Sequence, residues 1–221
     1  MRTPSPSDRE YCRRTLPRVS RTFALNIRLL SGRLLEAVRT AYLLCRAADT
    51  LEDSWPGPAA ELDGRFAAFL AALAGDAGAA DGLAAAAASR PTGAADVELL
   101  ASLPVLLRAL AALDPADAAL VADGVRTLAA GMRRYAVRAA GRDPGTPYLD
   151  DDAELGDYCY VVAGCVGEML TRLAARGLAH DAPAAAARRL ALAPAVGEAL
   201  QLTNIVLDWP ADVRRGRCHV P

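Results

Sequence analysis

Apolar residues recur at three- and four-residue spacing over 33–53, 60–74, 95–112, 115–140, 152–176, 183–192 and 195–209, and each of these stretches is predicted to be a helix. Strand-like alternation bounded by turn residues is nearly absent, so the pattern predicts an all-α chain. Breaks fall at 54–58, in the Gly/Ala segment 75–94, at Asp114 and Pro115, across 141–145 and at 181–183. Proline and glycine at these places end or interrupt helices. None of the breaks is long enough to be a domain linker, and 221 residues suffice for one core, so 1–221 is read as a single domain. The low-complexity segment 75–94 is expected to connect helices and to carry no chemistry.

In two of these helices the polar residues line up. At about 100° per residue, Arg39, Tyr42, Arg46, Asp49 and Asp53 fall within roughly an 80° arc, with Leu43, Leu44, Ala47 and Leu51 mostly off it. Asp49 and Asp53 sit on successive turns, with Glu52 beside them. Such a pair repels itself unless it shares a cation, although a solvated helix end with an Arg46–Asp49 ion pair accounts for this stripe equally well. Gln201, Asn204, Asp208 and Asp212 form a second stripe, again within roughly an 80° arc. Because both stripes lie in otherwise apolar helices, they are expected to be buried on several sides. Buried carboxylates need partners. Mg²⁺ suits them, since it takes one or two protein carboxylates and completes its shell with water and phosphate oxygens. Arg21, Arg46, Arg214, Arg215 and Arg217 can grip phosphates bidentately, though 214–217 reads as well as a basic helix terminus. Ala163, Gly164 and Gly167 share one helix face. Glycine inside a helix costs up to about 1 kcal/mol against alanine, so this face either opens room for an apolar ligand or lets helices pack closely.

Composition narrows the classes. With 25 basic against 26 acidic residues and a net charge of −1, no global field favours nucleic acid or an anionic membrane. The five cysteines, Cys12, Cys45, Cys159, Cys165 and Cys218, lack any CxxC pair, and His180 and His219 are the only histidines, which argues against a disulfide framework or a zinc site. Cys45, Cys159 and Cys165 fall in apolar patterns and read as small core residues. The N-terminal MRTPSPSDREYCRR lacks the apolar segment of a signal peptide, and no uncharged apolar run reaches about 20 residues. A cytoplasmic protein is expected, with peripheral membrane contact left open.

The stretches 20-SRTFAL-25, 42-YLLCRAADTLED-53, 158-YCYVVAGCVG-167 and 201-QLTNIVLDWPADVRRGRCHVP-221 together resemble the squalene/phytoene synthase family of head-to-head prenyl transferases. The resemblance implies the all-helical isoprenoid synthase fold, a bundle around a central cavity whose mouth carries two aspartate-rich motifs. Asp49, Glu52 and Asp53 match the first motif, and Asn204, Asp208 and Asp212 the second, as ligands of Mg²⁺. The implied reaction joins two prenyl diphosphates, farnesyl being expected, with release of diphosphate. The implied products are presqualene diphosphate, squalene, dehydrosqualene or phytoene. NADPH serves the reductive members and is not indicated here. Ser20 and Arg21 resemble a loop that closes over diphosphate, and Arg46 a diphosphate ligand. Tyr42 and Tyr158 resemble tyrosines near the reacting carbons, Gln201 a polar cavity residue, and Ala163, Gly164 and Gly167 residues lining a prenyl tunnel.

Several positions depart from the family pattern. Leu207 stands where arginine is common, Ala211 where glutamate is, and Arg133, Arg134 and Tyr135 follow a glycine-methionine pair where relatives carry an acid. Trp209 and Pro210 separate the two aspartates of the second motif, and a helical proline removes a hydrogen bond and bends the axis. The chain stops at Pro221, where the family pattern continues with further helices that close the cavity, so either a fold shortened at its C-terminus and completed by a dimer mate or a partner, or an incomplete enzyme, is expected. Two alternatives accompany the first reading: a terpene cyclase acting on one prenyl diphosphate, and a non-catalytic scaffold or assembly factor.

Overall fold

A computed structural model describes residues 6–142, 146–177 and 182–214. Among them every regular element is helical, as the periodicity predicted, and the chain divides into two compact units.

The first unit comprises residues up to Pro56 together with Gly64–Arg126. It holds α1 (Pro6–Val19), α2 (Arg21–Ile27), α3 (Gly32–Asp53), most of α4 (Ala59–Leu73), α5 (Ala77–Ala88), α6 (Ala95–Ala101), α7 (Leu103–Ala111) and the start of α8 (Pro115–Ala140). Gly32 begins α3 at φ +57°, a backbone conformation that side chains resist. From there α3 packs on α1, α6 and α7, with Leu43, Leu44, Ala47 and Leu51 wholly enclosed. The amphipathic pattern thus works as read: the apolar arc is core and the polar arc is left over. At the start of α8, Asp114 accepts the N–H groups of Ala116 and Asp117 at 3.1 and 3.4 Å, and the buried Asp117 carboxylate pairs with Arg33.

Several elements in this unit differ from expectation, among them α1 and α2, which precede the first predicted helix. The segment 75–94 contains a true helix, α5, capped by Asp76, which accepts the Ala79 N–H at 3.0 Å. It buries Ala80, Leu83, Ala84 and Ala87 against α6 and α7. Alanine is the best helix former, yet a run of alanines offers little apolar contrast from which to read a face. The stretch 95–112 breaks at Ser102, because Pro104 has no N–H to continue the ladder. Helix α1 had no readable apolar stripe because half of its buried face is polar: Asp8 and Thr15 join Cys12 and Leu16, and Asp8 is paired with Arg108 at 2.9 Å.

The second unit comprises Gly57–Asp63 and the chain from Thr127 onward. It contains the end of α8, α9 (Asp152–Cys159), a π-helical turn (Tyr160–Gly164), α10 (Cys165–Ala175) and α11 (Pro183–Arg214). Within the π turn the Cys165 N–H reaches back five residues to the Tyr160 carbonyl, so the expected helix 152–176 carries one widened turn. The two helices expected over 183–209 are a single helix running through Pro194 and Pro210. A proline deprives one carbonyl of its donor without ending a helix held by side packing.

Candidate active site

In the first unit the last two turns of α3 carry three carboxylates, those of Asp49, Glu52 and Asp53. Glu52 is buried and Asp53 exposed. The Asp49 side chain is 35% exposed, and its carboxyl is pushed up to about 7. Desolvation is the main cause; Arg46 opposes it, while Asp53 and Glu52 add to it. An acid in this state is a carboxylate short of positive charge. Arg46 lies 3.9 Å from Asp49 and 3.5 Å from Asp96, a residue of α6 absent from both sequence stripes. Asp96 could not be found from spacing, because its partners lie some 40 to 50 positions away in the chain.

The same face continues toward α2. Ser20 caps that helix, its hydroxyl accepting the Phe23 N–H at 3.2 Å. Tyr42 is hydrogen-bonded to Ser20 and stacks on Phe23 with ring centroids 5.4 Å apart. Burial raises the Tyr42 phenol above its ordinary range, so it stays protonated at neutral pH. The structure therefore gathers Ser20, Tyr42, Arg46 and Asp49 along one run of the first unit. Arg21 is the first residue of α2. Beyond the end of α3, Trp55 is contacted by the guanidinium groups of Arg65 and Arg90, at 4.7 and 4.9 Å from its ring centre.

In the second unit the polar stripe of α11 is not buried as expected. Asn204 and Asp208 are exposed, and Gln201 and Asp212 half-buried. The reason is the way α11 packs. Ala193 and Gly197 meet α10 and the π turn so closely that a Cβ on Gly167 would lie 2.4 Å from the Ala193 carbonyl oxygen. A Cβ on Gly197 would lie 2.4 Å from that of Ala163. At 100° per residue, Gln201, Asn204, Asp208 and Asp212 share that side of α11 within about 100°, further along the helix, where Asp208 stays open to solvent. The opposite side is apolar and uncovered: Leu192, Val196, Leu200, Val206 and Leu207 are each more than half exposed. By length and composition alone α11 could cross a membrane.

Close packing therefore accounts for Ala163 and Gly167, one of the two roles foreseen for that face. A Cβ on Gly164 would lie 2.9 Å from the Tyr160 ring. Tyr158 is buried edge-on between Tyr135 and Tyr148, at 5.3 and 5.6 Å, and belongs to a core cluster with Ile205. The residues that depart from the family pattern have structural partners. Arg133 pairs with Asp63 at 2.6 Å, Arg134 pairs with Asp157, and the Tyr135 hydroxyl donates to Asp157 at 2.6 Å. Asp212 and Arg214 lie in α11, while Arg215 and Arg217 fall outside the described residues.

Among the described residues no three acidic, histidine or cysteine side chains are gathered as a ready-made metal cage. Mg²⁺ does not require one. The oxygen donors of Asp49 and Asp53, four residues apart, and the desolvated, charge-deficient Asp49 carboxyl fit a hard cation that brings its own water and phosphate ligands.

Relatives bear on this arrangement. The chain is 29% identical to the squalene synthase of Eremothecium gossypii over 99% of its own length and 47% of that protein. It is 31% identical to a squalene synthase of Gibberella zeae over 99% of itself and 44% of the relative. Against the phytoene synthase of Thermus thermophilus the identity is 40% over 36% of this chain and 24% of that one. A solved structure of TcSQS with the ligand BPH1237 superposes with a TM-score of 0.75 at 28% identity, covering 96% of this chain and 57% of that one. The chain thus spans under half the length of these two squalene synthases. The family model of squalene/phytoene synthase matches residues 16–221, and the chain belongs to that family.

Proposed function

We propose that the chain takes part in Mg²⁺-dependent head-to-head condensation of two prenyl diphosphates, farnesyl diphosphate being the expected substrate. The observation that carries this reading is the gathering of Ser20, Tyr42 and Arg46 with Asp49, a carboxyl that burial pushes to about 7, toward the end of α3. Such a group gains a stable charged state when a cation joins it, which gives the chain a reason to keep it. Asp49, Glu52 and Asp53 on α3, and Asn204, Asp208 and Asp212 on α11, are the proposed metal ligands. When bound, Mg²⁺ supplies Lewis-acid neutralisation of the diphosphate leaving group. Arg46 offers guanidinium donors to phosphate oxygens, and Ser20 with Arg21 would close over the same group. Tyr42, kept protonated by burial, presents a hydroxyl beside Arg46 rather than a charge.

The family includes squalene and phytoene synthases, so the product is a C30 or C40 hydrocarbon or its cyclopropyl diphosphate precursor, with NADPH needed only for a reductive ending. Cytoplasmic location and peripheral contact through the apolar side of α11 belong to the same reading, as does completion of the fold by a second copy or a partner. The test is incubation with farnesyl or geranylgeranyl diphosphate and Mg²⁺, with and without NADPH, analysed by mass spectrometry. Products joining two prenyl units support it. A C15 alcohol or hydrocarbon from farnesyl diphosphate points instead to a cyclase, and an inert chain to a scaffold.

A further inference from the structure

Asp96, at the start of α6, touches α3 on three successive turns. One carboxylate oxygen lies 3.5 Å from Nη2 of Arg46 and accepts a short hydrogen bond from the Ser54 hydroxyl. The Asp96 carbonyl oxygen lies 3.5 Å from Thr50 Oγ1, whose proton goes to the Arg46 carbonyl at 2.8 Å, and the other carboxylate oxygen takes the Val97 N–H at 3.0 Å. Residues 46, 50 and 54 form one strip of α3 at four-residue spacing, beside the strip that carries Asp49 and Asp53. The Asp96 side chain is only 14% exposed, so these contacts are screened little by solvent.

Arg46 stands between two acids. Asp49, three residues on, is its neighbour on the same helix, and Asp96 is nearer by 0.4 Å, from 3.9 and 3.5 Å. Both distances exceed the roughly 2.7–2.9 Å of a direct charged hydrogen bond. The buried Nε of Arg46 has no hydrogen-bond partner among the described residues. The guanidinium is therefore held without being saturated.

We propose that Asp96 is a positioning residue for the first carboxylate motif. It draws Arg46 away from Asp49 and ties down the end of α3 through Ser54. Arg46 thus keeps donors for a diphosphate group, and Asp49 is left for a cation. Without Asp96, the i,i+3 pair Arg46–Asp49 closes and masks both. The inference rests on the reading above that Arg46 meets diphosphate.

The test is calorimetric binding of inorganic diphosphate, in the presence of Mg²⁺, to the full chain and to Asp96→Asn, Arg46→Gln and the double variant. Asp96→Asn is expected to weaken binding about five- to tenfold, and to weaken it less than about twofold when Arg46 is already Gln, because the two act through one guanidinium. An equal loss in both backgrounds, or undiminished binding by Asp96→Asn beside a wild-type chain that binds, overturns the positioning role alone. No binding by the wild-type chain overturns the functional reading together with it. If Asp96→Asn does not fold, Ser54→Ala serves the same comparison, with a loss of about two- to threefold expected only while Arg46 is present.

Discussion

Asp49→Asn should make the protein more stable at high pH while greatly slowing the proposed release of diphosphate. The substitution keeps the shape of the side chain and removes its charge. Because the folded Asp49 carboxyl titrates near 7 rather than at its ordinary 3.8, the folded state holds a proton that the unfolded chain has lost between those values. Stability therefore falls as pH rises from about 4 to 7, and the full penalty stands above 7. Taken at about 1.36 kcal/mol per pH unit the displacement amounts to about 4 kcal/mol. With the side chain 35% exposed, solvent screening leaves about 1–2 kcal/mol of it. Thermal unfolding at pH 8 should then show Asp49→Asn about 3–6 °C above wild type, and the gain at pH 4 should be less than half as large. An equal shift at both pH values, or a lower melting temperature at pH 8, refutes the assignment of a desolvated, charge-deficient carboxylate. Adding Mg²⁺ with diphosphate should reverse the order, since only the wild type gains a ligand there.

Other substitutions separate scaffold from site. Gly167→Ala drives a Cβ to 2.4 Å from the Ala193 carbonyl oxygen, so α10 and α11 must part. A loss of about 1–3 kcal/mol, seen as a melting temperature lowered by about 3–10 °C, is expected. Arg33→Ala leaves the wholly buried Asp117 without that cation, and should cost about 3–5 kcal/mol in chemical denaturation. Asp208→Asn lies on an exposed part of α11 and should shift the melting temperature by no more than about 2 °C.

Elements with strong contrast between faces were legible in the sequence. Helix α3 was expected over 33–53 and spans Gly32–Asp53, and α8 matches 115–140. What escaped was governed by weaker signals. In α5 the face is alanine against alanine, and in α1 half the buried face is polar, with Asp8 held by the distant Arg108. Pro104 broke a helix that periodicity joined, whereas Pro194 did not break one that it divided, because close packing at Ala193 and Gly197 holds that turn. The carboxylate stripe of α3 was readable since its members share one helix. Asp96 was not, because its partners belong to another helix. The stripe of α11 was placed correctly on its helix but wrongly buried. An apolar surround reads as interior, and here half of that surround is itself uncovered.

Both carboxylate motifs are claimed to serve ionisation of a prenyl diphosphate, and diphosphate release tests that claim most directly. With farnesyl diphosphate and Mg²⁺, the wild-type chain should release diphosphate. Asp49→Asn and Asp208→Asn should each lower the rate at least about a hundredfold, a loss of roughly 2.7 kcal/mol or more in transition-state stabilisation, while both variants remain folded. Release at the wild-type rate by either folded variant would contradict the account.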